Sequence, residues 1–220
     1  MGKEYVMRSV RVKFEKTGNA KYISHLDLNR FMLKIIRMSK IPVWYSEGFN
    51  PHPYITFALP LSLGFESTYE FMDIRLHDDS FTNENVYSSI KELMPKGINI
   101  LSCFDPLMKA GQIAFADYKV SFTQYDSDVI SSLCDYLSSD SILANKKTKK
   151  GAFKEVNLKE FIKGYRICDS ALILTLSAGG ANNLNPKLIL ESFEKFSNIK
   201  LPFYNIVRTM LYNEKMEEFK

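Results

Sequence analysis

The chain has 220 residues, 45% of them hydrophobic, a formal net charge of +4 and three cysteines, enough to bury a sizeable core as one large domain or two small ones. No window of about 18 apolar residues occurs and the N-terminus lacks the charged head and apolar core of a signal peptide, so a soluble cytoplasmic protein with no membrane partner is expected. Cys103, Cys134 and Cys168 are odd in number and far apart, which fits neither a disulfide framework nor a cluster-binding spacing; they are expected to be buried, reduced thiols.

From Met7 to Phe14 the chain alternates, Val10, Val12 and Phe14 on one face and Arg11 and Lys13 on the other, which predicts a half-buried strand. Ser24 with Asp27 three residues on predicts the start of a helix running to about Ser39. Leu28, Phe31, Met32, Ile35 and Ile36 supply its buried face, and Arg30, Lys34 and Arg37 form a basic stripe at i, i+4 and i+7. Val43 to Ser46, Tyr54 to Leu59 and Glu70 to Leu76 read as strand segments, Asn83 to Met94 as a helix and Ile98 to Phe104 as a strand. The resulting order, β-α-β-β-α-β, is the split βαβ or ferredoxin-like arrangement.

The pattern recurs less cleanly after a connection at Asp105 to Asp117. Tyr118 to Tyr125 reads as a strand, Asp128 to Leu137 as a helix, Phe153 to Leu158 as a strand or hairpin, Ala171 to Ser177 as a central strand, and Asn185 with Pro186 as the start of a helix through Phe196. Phe203 to Tyr212 closes the chain as a strand or short helix. The fold class expected is α+β with two ferredoxin-like halves, residues 1–105 and 106–220.

Candidate site residues concentrate between Tyr22 and Gly64, which holds two of the three histidines. Ser24 and Asp27 have the spacing of a helix cap, whereas Tyr22 and His25 are not explained by capping. A helix start beside Gly18, Asn19 and Lys21 favours an anion such as phosphate, because free amides and the helix dipole converge there. The loop Tyr45-Ser-Glu-Gly-Phe-Asn-Pro-His-Pro53 brackets His52 with two prolines and should be stiff. Tyr22, His25, Asp27, Tyr45, Glu47, Asn50 and His52 are the ligand-binding candidates. His25, His52, Asp27 and Glu47 are chemically suitable metal ligands but lack any diagnostic spacing, so no metal is assigned.

Charge is localised. From Lys146 to Arg166 eight basic residues face Glu155 and Glu160, a segment of +6 in a chain of +4, so the remainder sums to −2. Phe153, Phe161 and Tyr165 are interleaved there, a combination suited to phosphate neutralisation with base stacking. The nucleic-acid candidates are Lys146, Lys147, Lys149, Lys150 and Lys154, with Arg30, Lys34 and Arg37 on the helix. Docking to an acidic protein face is the competing reading of the basic segment.

The stretches Phe14-Glu-Lys-Thr-Gly-Asn-Ala-Lys-Tyr-Ile-Ser-His-Leu-Asp27, Tyr45-Ser-Glu-Gly-Phe-Asn-Pro-His-Pro53 and Leu59-Pro-Leu-Ser-Leu-Gly-Phe-Glu-Ser67 resemble the radical-SAM-linked proteins, a bacterial family of undefined activity found beside, or fused to the end of, a radical SAM enzyme. Lys154 to Leu158 and Arg208 to Tyr212 extend the likeness. The sequence departs from it at Ser62 and Asn157, where the resemblance leads to Pro-Leu-Gly and Val-Asp-Leu. The resemblance implies an accessory or substrate-presenting partner of a radical SAM enzyme in an RNA-related pathway, with no established catalytic residue. No Cys-x3-Cys-x2-Cys run is present, so no iron–sulfur cluster or other cofactor is expected on this chain.

Three readings follow: an RNA-binding accessory module, an RNA-processing or transfer enzyme using His25 or His52, and a protein-only scaffold. The enzyme reading draws on a likeness to CRISPR-type RNA-processing endoribonucleases in fold and helix-borne histidine alone.

Overall fold

Period-two burial defines the first strand, β1 (Arg8–Lys16), in which Val10, Val12 and Phe14 are fully buried against the helices. A computed structural model describes residues 7–147, 153–180 and 182–220. The fold is α+β, and the chain divides into two compact units, Met1–Ile113 with Phe219–Lys220, and Ala114–Glu218. Residues 106–113, placed in the second half on sequence, group here with the first unit.

In the first unit β1 is followed by α1 (His25–Met38), β2 (Ile55–Phe57), β3 (Glu66–Leu76), α2 (Asn83–Lys91) and β4 (Ile98–Phe104). The strands stand in the order β4-β1-β3-β2, every pair antiparallel. Leu28, Met32, Ile35 and Ile36 of α1 and Val86 and Ile90 of α2 pack on Met72, Ile74 and Leu76 of β3 and the apolar face of β1. Helix spacing and strand alternation thus meet in one core.

The other face of β1 differs from expectation. Arg11, read as solvent-facing, is fully buried: it forks onto Asp73 with Nε–Oδ1 and Nη2–Oδ2 distances of 2.7 Å each. Its guanidinium lies 4.5 Å from the centroid of Phe219. Nη1 is buried without a hydrogen-bond partner, and the aromatic face supplies the compensating negative potential. Removing Asp73 would strand that charge.

The second unit holds β5 (Phe115–Phe122), α3 (Ser127–Ser138), a hairpin of β6 (Leu143–Lys147) and β7 (Phe153–Asn157), then β8 (Ile162–Cys168), β9 (Ala171–Ser177), α4 (Pro186–Ser197) and β10 (Tyr204–Tyr212). Its sheet runs β10-β5-β9-β8, antiparallel throughout, with β6–β7 separate. Setting that hairpin aside, both units share one strand order: fourth, first, third, second. Strand β8 is absent from the sequence reading. It is joined to β9 through Asp169 (φ 48°) and Ser170 (φ 56°), the two left-handed residues of a tight hairpin turn.

Candidate functional site

At the entrance to α1 the capping prediction holds. The Asp27 amide donates to Ser24 Oγ at 3.1 Å, and the Ser24 hydroxyl donates to Asp27 Oδ2 at 2.7 Å. Arg30 lies 3.5 Å from the same carboxylate. Both oxygens of the exposed Asp27 carboxylate thus have a neighbour in the first turn of the helix. His25, the first helical residue, sets its ring edge-on to Phe57 at 5.1 Å, and Tyr22 is 67% exposed beside Lys21, whose Nζ lies 5.6 Å from its ring.

The chain places one carboxylate of its own beside this entrance. Glu66 accepts from the Gly18 amide at 3.2 Å and pairs with Lys21 at 3.4 Å. The amides of Ala20, Ile23 and Leu28 donate to Thr17, Ala20 and Ser24 carbonyls. Gly97 closes the same corner: its carbonyl accepts from Thr17, and at φ +92° a Cβ would meet the Thr17 carbonyl at 2.6 Å.

The second candidate loop is a hairpin. Tyr45 bridges Pro53, the Ser46 amide donates to the His52 carbonyl at 2.9 Å, and the Tyr54 amide donates to the Trp44 carbonyl at 2.9 Å. Inside it His52 Nδ1 lies 3.0 Å from Ser46 Oγ and 3.2 Å from the Asn50 carbonyl. Gly48 (φ +125°) makes the turn at the tip. Glu47, Phe49, Asn50 and Pro51 are exposed there, and Phe49 has nothing against its ring.

Strand register separates the two histidine loops. Phe57 stands level with Met72 and hence with Val12, while Val43 bridges Leu76 at the level of Arg8. His52 and Phe57 lie along one extended run, about 16 Å apart at roughly 3.3 Å per residue. His25 with Tyr22 and Asp27 sits at one end of the sheet, and Tyr45, Glu47, Asn50 and His52 at the other. A single two-histidine acid/base centre is not what this geometry assembles.

Residues the sequence reading passed over complete the second cluster. The Arg75 guanidinium lies 4.5 Å from the Tyr54 ring and 5.4 Å from the Trp44 ring, which pack edge-on to each other at 5.2 Å. Its side-chain N–H groups have no hydrogen-bond partner among the described residues. The available signal was Arg75 falling opposite the buried Met72, Ile74 and Leu76 in β3.

Of the basic candidates, Arg30, Lys34 and Arg37 are all exposed on α1. Lys146 and Lys147 lie in β6, and the register sets Lys146 opposite Lys154 of β7. Lys149 and Lys150 lie outside the described residues. Two other cations of that segment have structural duties. Lys159 Nζ donates to the Leu137 carbonyl at the end of α3, 2.6 Å away. Arg166 pairs with Asp117, a buried carboxylate that also accepts from Thr175 and Tyr212. Burial, reinforced by that carboxylate, pushes the Tyr212 hydroxyl pKa up. Asn157 accepts from the Ile142 and Lys159 amides, bonds that an aspartate carboxylate would also accept.

A cleft of about 270 Å³ opens between the β6–β7 hairpin and α4, lined by Leu143, Leu188 and Phe196 with Glu155, Glu191 and Lys195. Its acidic balance disfavours phosphate. The Cys103 thiol is pushed by burial up to about 12, and burial raises Cys134 as well, so neither is a thiolate at neutral pH. Against the expectation of three buried thiols, Cys103 and Cys134 are half-buried and Cys168 is exposed. Among the described residues no group of three or more His, Cys, Asp or Glu side chains could hold a metal ion, and no helix is long and apolar enough to cross a membrane.

Comparison with curated proteins finds no match. A protein-family model covers residues 9–186, most of the chain, and so the chain belongs to the bacterial family described as "Uncharacterized protein conserved in bacteria (DUF2344)".

Proposed function

We propose that this chain is a cytoplasmic RNA-binding accessory module that presents its RNA to a radical SAM enzyme. The observation that carries the RNA reading is a stripe of exposed cations on α1 followed in the chain by a hairpin with exposed rings, Tyr45, Phe49 and Tyr54. Arg30, Lys34 and Arg37 run along the outer face of α1 toward its C-terminus, and only residues 39–43 separate that terminus from the hairpin bearing Trp44, Tyr45, Phe49 and Tyr54. Cations that follow a phosphate backbone beside rings that accept bases are how single strands are held without a duplex. The radical SAM partner rests on the sequence resemblance, and the chemistry belongs to that partner.

The test is equilibrium binding of single-stranded RNA by the full chain across a salt series. Binding that weakens steeply with salt is expected, and R30A/K34A/R37A should lower the magnitude of the log–log slope by about 2, at roughly 0.7 per phosphate contact. No binding at low salt, or binding indifferent to salt, would remove the RNA reading. Co-purification with a radical SAM enzyme tests the partner separately.

A further inference from the structure

We propose that the outer corner of the first unit's sheet, on the face away from its helices, binds one unpaired nucleotide, the base against Tyr54 and the phosphate on the Arg75 guanidinium. This inference rests on the RNA reading above and names a contact point for it. Strand alternation sets the face: Met72, Ile74 and Leu76 of β3 belong to the helical core, so Asp73 and Arg75 point the other way. In the register Thr56 stands opposite Asp73, and Ser9 opposite Arg75. The inner part of this face is closed, with Arg11 fully buried against Asp73 and Phe219. The corner beyond it is open: Tyr54 is 38% exposed, Thr56 is exposed, and Ser9, Trp44 and Arg75 are half-buried.

The corner is assembled before a ligand arrives. The Arg75 carbonyl accepts from the Trp44 amide at 2.8 Å, its amide donates to the Tyr54 carbonyl at 3.1 Å, and the Tyr54 amide donates to the Trp44 carbonyl at 2.9 Å. These backbone bonds tie the three residues together, and the guanidinium lies 4.5 Å from the Tyr54 ring centroid and 5.4 Å from that of Trp44. Asp73, on the same face, does not neutralise it, because both of its oxygens take the Arg11 fork. No described residue accepts from the Arg75 side-chain N–H groups. A guanidinium with its fork unused matches a phosphate, and a ring already held beside it stacks a base at little ordering cost. An acidic protein face would use the charge and leave the ring surface idle.

Trp44 is the single tryptophan of the chain, so its fluorescence reports on this corner alone. The experiment titrates the full chain with a short oligouridine, an RNA duplex, hexaglutamate and inorganic phosphate, reading tryptophan emission together with the anisotropy of fluorescein-labelled RNA. Oligouridine should quench Trp44 saturably, and the duplex, whose bases stay stacked internally, should not. Y54L removes the stacking ring and should weaken oligouridine binding about 5- to 100-fold with its salt slope unchanged, because stacking releases no counterions. R75K keeps the charge and loses the fork, so weaker binding at unchanged slope identifies a bidentate contact. Oligouridine binding with Trp44 emission unchanged, or native affinity in either variant, overturns this site and leaves the RNA reading standing. Equal quenching by the duplex overturns the assignment to an unpaired base, and an equal response to phosphate or hexaglutamate overturns the nucleotide in favour of a plain anion or an acidic protein face. Failure of the native chain to bind either RNA overturns both readings. Thermal melting of each variant separates a lost contact from a lost fold.

Discussion

The two ends of the first unit's sheet use similar residues for opposite purposes. At the α1 entrance Ser24 caps, Asp27 is engaged by Ser24 and Arg30, and Glu66 occupies the Gly18 amide and the Lys21 ammonium. At the 44–54 hairpin the backbone is equally well bonded, yet Phe49 is bare and Arg75 has donors to offer. A polar cluster is a poor indicator of a site until its hydrogen bonds are accounted for. What distinguishes a binding surface is rigid backbone carrying side chains with unfilled capacity.

That contrast makes end-specific predictions: changes at the α1 entrance should cost stability and spare RNA binding. The largest effect belongs to Gly97→Ala, which forces a Cβ against the Thr17 carbonyl at a left-handed φ; a loss of roughly 2–4 kcal/mol in denaturant unfolding is expected. Glu66→Ala leaves the exposed Gly18 amide and Lys21 without that carboxylate and should cost about 1 kcal/mol by the same measurement. Ser24→Ala removes the N-cap acceptor and should cost about 1 kcal/mol. At the other end Arg75→Lys forfeits part of a ring contact and should change stability by no more than about 1 kcal/mol. If Glu66→Ala weakened RNA binding as much as Arg75→Lys, the two ends would not differ in role.

The smallest effect at neutral pH is that of Cys103. Its folded pKa of about 12 stands above the ordinary thiol value of 9.0, so the half-buried neutral thiol stabilises the fold fully below pH 9. As pH rises from 9 toward 12 the unfolded chain ionises first and that stability is lost. Cys103→Ser should reduce the alkaline loss in this window, read as the pH dependence of the denaturant midpoint, since serine does not ionise there.

Much of the first unit was legible because its helices and strands bury one face each: Val10, Val12 and Phe14 announce β1, and Leu28, Met32, Ile35 and Ile36 announce α1. Strand β8 was not legible because it is a sheet edge, and Lys163, Gly164 and Arg166 interrupt its apolar pattern. Arg11 misled for a related reason. An arginine reads as solvent-facing unless its partner is known, and Asp73 with Phe219 comes from distant sequence. The Trp44, Tyr54 and Arg75 cluster was hidden in the same way: a hairpin neck joins the first two and strand register supplies the third. Spacing along the chain shows caps, but not which polar groups remain unfilled in the fold.

Photocrosslinking of a 4-thiouridine single-stranded RNA to the full chain, with the adducts mapped by mass spectrometry, tests the assignment most directly. Adducts at Trp44 and Tyr54 are expected, and the Trp44 adduct should fade in Y54L. Adducts confined to Tyr22–Leu26 at the α1 entrance, or to the acidic cleft beside α4, would contradict it.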